Sequence, residues 1–250
     1  MKATRLLAPV LVLALVAAAC GGDDAGADDE TTTAAPGDTM TAQSYLTFRG
    51  QTTACGAEAP PAARDLQFEA PDDLGITGTV RATITTSCGD VVVELDADVA
   101  PATVNSFVFL AEQGYFDGTV SHRVFPNFIV QAGDPTASGR GNPGYVVPDE
   151  FATTDIPEVT ETVIDGRRYL TFGKGSIAMA NAGPNSTGSQ WFIALEDAVL
   201  PPQFTWFGRV VDGFDTLDRI EGIPLAQGRS DPVPTVPAES LYIESVGIER

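Results

Sequence analysis

Hydrophobic and polar residues alternate most cleanly where Val80, Ala82 and Ile84 are interleaved with Arg81, Thr83 and Thr85. A period of two marks a strand with one buried face. Cys88-Gly89 supplies a turn into Val91, Val93 and Leu95, so a β-hairpin is predicted. The period then changes. Val104, Phe107, Val108 and Ala111 recur at helical spacing, Pro101 suits a first turn and Gly114 a helix end, which predicts a helix with that stripe in the core. Short apolar runs at 128–131, 176–180, 190–195, 205–211 and 241–248 predict strands separated by Gly, Pro and Asn. A second helix is predicted over 214–220, with Asp212 as its cap before Gly213. In the polar segment 151–175, Asp165-Gly166 between apolar runs predicts a tight hairpin. Many strands and two helices imply a mainly β domain with a closed or nearly closed antiparallel sheet.

Upstream of residue 76 the pattern breaks down. Lys2 and Arg5 precede an apolar run, 6–19, that is too short to span a bilayer comfortably, so it predicts a signal peptide. Ala17-Ala18-Ala19-Cys20 resembles a bacterial lipoprotein cleavage box, with Cys20 as the lipid-bearing first mature residue. That box prefers Leu where Ala17 stands, and ordinary cleavage near the alanines is the alternative. Residues 20–43 are mostly Gly, Asp, Thr, Ala and Pro and predict a disordered acidic tether. Its acidic residues lack the regular ligand spacing of a calcium loop. Residues 44–75 carry Tyr45, Leu46, Phe48 and Phe68 among prolines, which predicts an arm without a core of its own. The main domain is expected over 76–250.

Assigning Cys20 to lipid leaves Cys55 and Cys88 as an even pair in an exported chain, so a disulfide between them is expected to staple the arm to the domain. Closing that loop contributes on the order of 3 kcal/mol in the chain-entropy account. Two free, buried thiols are the other possibility. The formal charge of −20, about −22 once the signal is removed, argues against nucleic acid or an anionic membrane face as partners. Membrane contact is expected through the lipid anchor only, on the outer face of the bacterial cytoplasmic membrane.

Several chemistries lack their residues. Gly139-Arg140-Gly141-Asn142-Pro143-Gly144 has the spacing of a dinucleotide-binding loop, but Pro143 and Pro148 argue against the helix that motif must open, so a solvent loop is expected. His122 is the one histidine, and no Gly-x-Ser-x-Gly elbow occurs, which disfavours a hydrolase triad and ordinary zinc catalysis. No metal and no cofactor is expected.

Two segments carry the functional information. They are Ser121-His122-Arg123-Val124-Phe125-Pro126-Asn127-Phe128-Ile129-Val130-Gln131-Ala132-Gly133-Asp134 and the run from Ser176-Ile177-Ala178-Met179-Ala180-Asn181 through Gly188-Ser189-Gln190-Trp191-Phe192-Ile193. With Tyr115-Phe116-Asp117-Gly118-Thr119 and Trp206-Phe207-Gly208-Arg209-Val210 they resemble a cyclophilin over about two-thirds of the chain. The resemblance implies a closed eight-stranded antiparallel barrel capped by two helices, with a proline groove on its outer wall. It implies that Arg123 is the catalytic arginine with His122 supporting it. Phe128, Met179, Phe192 and Leu200 would line the proline pocket, with Phe204 beside them, and Gln131, Ala180 and Asn181 would hold the peptide backbone. Val199 and Phe204 stand where the family commonly has tryptophan and histidine. The tryptophan helps bind cyclosporin in the family, so weakened inhibitor binding is implied.

The implied reaction, prolyl cis/trans isomerisation, suits these residue types. Twisting an amide forfeits resonance at a cost of roughly 18 to 20 kcal/mol, and no bond breaks, so neither nucleophile nor metal is needed. A fixed guanidinium can engage the proline nitrogen lone pair that appears in the twisted state, while an apolar pocket holds the ring. The expected partners are proline-containing polypeptides of the exported fraction, met by a monomer. The alternatives are a proline-binding chaperone or scaffold with little turnover, and a structural lipoprotein without proline affinity.

Overall fold

The computed structural model describes residues 38–228 and 231–250. The expected signal segment, Cys20 and most of the tether lie outside the described residues. Helix α1 (Gln43–Arg49) and a 3-10 turn (Ala54–Gly56) open the chain, followed by β1 (Thr79–Thr86), β2 (Gly89–Asp96) and α2 (Pro101–Glu112). Next come β3 (Thr119–Val120), β4 (Arg123–Phe125), β5 (Ile129–Ala132), β6 (Val159–Ile164) and β7 (Arg167–Phe172). Then follow β8 (Ser176–Met179), β9 (Trp191–Ala194), β10 (Ala198–Leu200), β11 (Trp206–Asp212) and α3 (Phe214–Glu221). β12 (Leu225–Gln227), β13 (Pro234–Pro237) and β14 (Tyr242–Glu249) complete it.

Nine strands form one curled antiparallel sheet in the order β3-β14-β1-β2-β11-β8-β9-β5-β4. This corrects the expected closed eight-stranded barrel with two helices: the sheet is a half-barrel with edges at β3 and β4, and three helices occur among the described residues. The cause is local. β3 and β4 are consecutive pieces of one extended path, and at Ser121 the chain changes partner, its N–H bonding Leu241 and its hydroxyl Gln131. Two segments in line cannot lie side by side, so the ladder stays open between them.

The predicted hairpin forms as β1 and β2, with Val80, Ala82 and Ile84 opposite Leu95, Val93 and Val91, and all six side chains are buried. They meet the α2 stripe of Val104, Phe107, Val108 and Ala111 in the main core. Helix α2 has no side chain of its own at its N-cap. Glu150 fills that role from outside, its carboxylate accepting the Ala102 and Thr103 N–H groups at 3.0 and 2.9 Å and the Thr103 hydroxyl at 2.7 Å. An anion is favoured at that end of the helix dipole. Glu150→Ala is therefore expected to lower the unfolding free energy by about 1 to 2 kcal/mol, measurable by urea titration; an unchanged midpoint would show the contact to be idle.

Helix α3 begins at Gly213, φ 90°, where a Cβ would lie 2.2 Å from the Asp90 carbonyl oxygen. Asp212 does not cap the helix as expected. Among the described residues its carboxylate accepts only the Gly213 N–H, because the left-handed glycine turns the chain before the helical amides come within reach. Asp165 and Gly166, both at positive φ, make the turn of the β6–β7 hairpin, which pairs with β10 in a separate three-stranded sheet.

The arm packs on the domain earlier in the chain than expected. Met40, inside the segment assigned to the tether, is buried with Tyr45, Phe48, Ala63, Val120 and Tyr242, and its N–H bonds Ala63. The Tyr45 hydroxyl donates to the Gly118 carbonyl at 3.0 Å and accepts the Ala63 N–H at 2.8 Å. The expected Cys55–Cys88 disulfide is present, with Cα atoms 5.2 Å apart.

Candidate functional site

The β4–β5 turn is tight enough for Asn127 to adopt φ 55°, and it places Arg123 opposite Gln131 and Phe125 opposite Ile129. β9 continues the sheet with Phe192 opposite Gln131 and Ala194 opposite Ile129. Side chains directly opposite one another in a ladder share a face. Arg123, Phe125, Ile129, Gln131 and Phe192 therefore stand on one side of the sheet. On that side Phe125, Ile129, Phe192, Leu200, Phe204 and Trp206 form an apolar cluster, with Phe128, Ala180 and Val233 partly buried against it. The Phe192 and Phe204 rings meet edge to face at 5.7 Å, and Phe125 meets Phe128 at 5.4 Å. Leu200 on β10 is brought in by its pairing with Leu170 of β7.

A polar edge flanks the cluster. The Gln131 Nε2 donates to the Gln190 side-chain oxygen Oε1 at 3.0 Å, and Gln190 Nε2 donates in turn to the Gly141 backbone carbonyl at 3.1 Å. Asn181 donates to the Gln203 carbonyl at 2.7 Å, and the Ala180 N–H bonds the Gln190 carbonyl. These residues border a cavity of about 310 Å³, whose other wall is the glycine-rich loop at 139–142. That loop is irregular and opens no helix, as the prolines implied. At the other side of Gln131, the Arg123 guanidinium is gripped by Asp231: Nε donates to Oδ2 at 3.1 Å and Nη2 to Oδ1 at 2.6 Å.

A family model described as cyclophilin type peptidyl-prolyl cis-trans isomerase/CLD matches residues 81–247, which include all of these elements of the site. The chain belongs to this family. A probable peptidyl-prolyl cis-trans isomerase B of Mycobacterium tuberculosis is 39% identical over 175 residues, covering 67% of this chain and 54% of that protein. Its Mycobacterium leprae counterpart is 37% identical over 172 residues, covering 66% and 57%. The chain thus spans little more than half the length of these curated relatives. A solved Cryptosporidium parvum cyclophilin type peptidyl-prolyl cis-trans isomerase matches with a TM-score of 0.57 at 26% identity, covering 69% of this chain and 98% of that one. The same C. parvum protein was solved in the presence of the dipeptide Ala-Pro.

In this cyclophilin the structure gathers Arg123, Gln131, Phe128, Phe192, Leu200, Phe204, Ala180 and Asn181 around the cluster and its polar edge. It does not bring Met179 there. Met179 lies opposite Trp191 and packs in the main core on the other side of the sheet, where it lines a small gap with Phe107, Leu110 and Phe116. The reason is alternation: Ala178, its neighbour, points to the side of the Phe192 cluster. Ile129 fills the place expected of Met179 and was missed, as were Phe125, Gln190 and Asp231. Ile129 sits inside the quoted motif and follows from the period of two; Asp231, 108 residues from Arg123, leaves no local signal.

His122 lies on the short link between β3 and β4, next to Arg123. Its Nδ1 is buried and has no hydrogen-bond partner among the described residues. Burial pushes its pKa below the ordinary 6.5, against the Asp134 charge, which raises it, and with the Arg123 charge, which lowers it further. Between the ordinary value of 6.5 and the lower folded one, the unfolded chain binds the extra proton. Stability is full above pH 6.5 and falls as pH drops below it. His122→Gln is expected to flatten that limb, seen as a smaller Tm difference between pH 7.5 and pH 5 than in the native protein; an equal difference would leave the imidazole out of it.

Proposed function

We propose that this cyclophilin accelerates cis/trans rotation about X-Pro bonds, with Arg123 as the catalytic residue. The observation that carries the reading is the shared face of Arg123, Gln131 and the Phe128–Phe192–Leu200–Phe204 cluster, which puts a fixed cation beside an apolar seat for a pyrrolidine ring. The proline ring rests against the half-buried Phe128, and Gln131 with the Ala180–Asn181 backbone holds the peptide. Rotation of the preceding residue pyramidalises the proline nitrogen, and the guanidinium binds that state more tightly than the planar amide. Catalysed exchange of a short proline peptide, followed by NMR with the full chain, tests the reading; acceleration is expected, and none would overturn it.

A second reading draws on the packing of the cluster. Phe192, Leu200 and Phe204 are only 2, 1 and 3% exposed and packed as a fixed wall, which suits holding a proline segment in place as well as turning it over, as in a proline-peptide-binding chaperone or scaffold with little turnover. Peptide binding without accelerated exchange in the same experiment would select it. Val199, half-buried on β10, replaces a tryptophan that aids cyclosporin binding in the family. A cyclosporin inhibition curve is expected to lie at higher concentration than for a tryptophan-bearing cyclophilin, and a coincident curve would contradict this.

Export and lipid anchoring through Cys20 are part of the same proposal. Ala17-Ala18-Ala19-Cys20 and the Cys55–Cys88 disulfide, which persists outside reducing compartments, support it. Exported proteins of the same compartment are then the clients. Mass spectrometry of the mature N-terminus is expected to find an acylated Cys20; an unmodified terminus would overturn the anchor.

A further inference from the structure

The Arg123–Asp231 contact holds both nitrogens of one guanidinium edge on both oxygens of one carboxylate, with the two side chains 14 and 17% exposed. Asp231 is itself held. Its carboxylate accepts the hydroxyl of the fully buried Thr235 on β13, and its carbonyl accepts the Gln227 side chain from β12 at 2.6 Å. The β12–β13 hairpin is docked beside the site, since Val233 packs against the apolar cluster of Phe125 and Phe192. Partial burial opposes ionisation of Asp231, yet the hydrogen bonds from Arg123 and Thr235 and the guanidinium charge outweigh it and keep the carboxyl below its ordinary value.

An arginine has five N–H donors in a rigid plane and a long, otherwise mobile stem. Gripping Nε and one Nη2 hydrogen fixes the plane and leaves three donors for a ligand. We propose that Asp231 is the positioning residue of the isomerase reaction, fixing the Arg123 guanidinium through the C-terminal hairpin so that the free part of its fork is preorganised for the twisted X-Pro bond. The proposal rests on Arg123 being the catalytic group. Its physical content is that a cation already oriented needs no reorganisation at the moment charge shifts in the substrate, and small misplacements of such groups are costly.

The test is NMR exchange spectroscopy of a proline peptide with the full chain, comparing the native protein, Asp231→Asn, Asp231→Ala, Arg123→Ala and the Arg123→Ala/Asp231→Ala pair. Asp231→Asn keeps the shape but loses the paired carboxylate oxygens, so it guards against a variant that fails to fold. The expected result is a fall of at least about tenfold in the bound-state exchange rate for both Asp231 variants, with peptide Kd changed less than about twofold. In the Arg123→Ala background the second change is expected to cost nothing more, because the group it positions is gone. A purely structural role would instead move Tm and Kd and add in both backgrounds. Native or faster exchange in Asp231→Asn would overturn the proposal, a faster rate marking the pair as a brake. A native rate in Arg123→Ala would sink the underlying isomerase-site reading separately.

Discussion

Arg123→Ala is expected to slow catalysed exchange of an X-Pro peptide by on the order of 10²-fold while leaving peptide affinity within a few-fold. A hydrogen bond to a charged group is worth about 1.5 to 3 kcal/mol, and each 1.4 kcal/mol of barrier is about tenfold in rate, so one guanidinium spans roughly ten- to two-hundredfold. On the proposed mechanism affinity is spared, because the apolar cluster and Gln131 would hold the peptide while the arginine would act on the twisted state. The substitution also strands Asp231, 17% exposed and stripped of its counter-charge, so some stability is lost with the rate. Circular dichroism and an unfolding curve separate the two effects. An intact rate in a folded Arg123→Ala protein would remove the arginine from the reaction.

Breaking the Cys55–Cys88 bond, by reduction or by Cys55→Ala with Cys88→Ala, is expected to lower the unfolding free energy by about 3 to 4 kcal/mol. The bridge closes a loop with a sequence separation of 33 residues and so restricts the unfolded chain. For a chain of this size that is a fall of roughly 10 °C in Tm. The folded arm is expected to survive, because other contacts keep it docked: the Ser240 N–H donates to Thr52, the Ala54 N–H donates to Ser240, and Tyr45 bonds Gly118. Activity measured well below the new Tm is expected to stay near native, since the disulfide touches none of the gathered site residues. A urea midpoint that does not move on reduction would contradict the account.

Much of the site was legible because its motifs are local. His122-Arg123 and Phe128 to Gln131 lie within one strand pair, so their order along the chain is their order in space. The misplacement of Met179 has an equally local cause. All four residues of β8 are buried, Ile177 and Met179 in the main core and Ala178 in the second cluster, so burial carries no alternation from which to tell the sides. The partner strand Trp191–Ala194 is equally buried throughout, and only the register between them resolves Ala178 from Met179.

The amino-acid sequence alone determined the β1–β2 hairpin, the buried stripe of α2 and the Asp165-Gly166 turn, and it made Cys55 and Cys88 the expected pair that the structure then joins. Each rests on periodicity, on turn chemistry or on parity, and all three act within a short window or by simple count. Tertiary structure decided the open edge between β3 and β4, the capping of α2 by Glu150 and the docking of Met40 and Tyr45. It also decided which carboxylate grips Arg123. Those contacts join residues far apart in the chain, as with the 108 positions between Arg123 and Asp231, and a polar side chain on a loop looks the same in sequence whether it meets water or a guanidinium. Its partner is chosen by how the strands curl, because only the folded sheet brings the β12–β13 hairpin against β4.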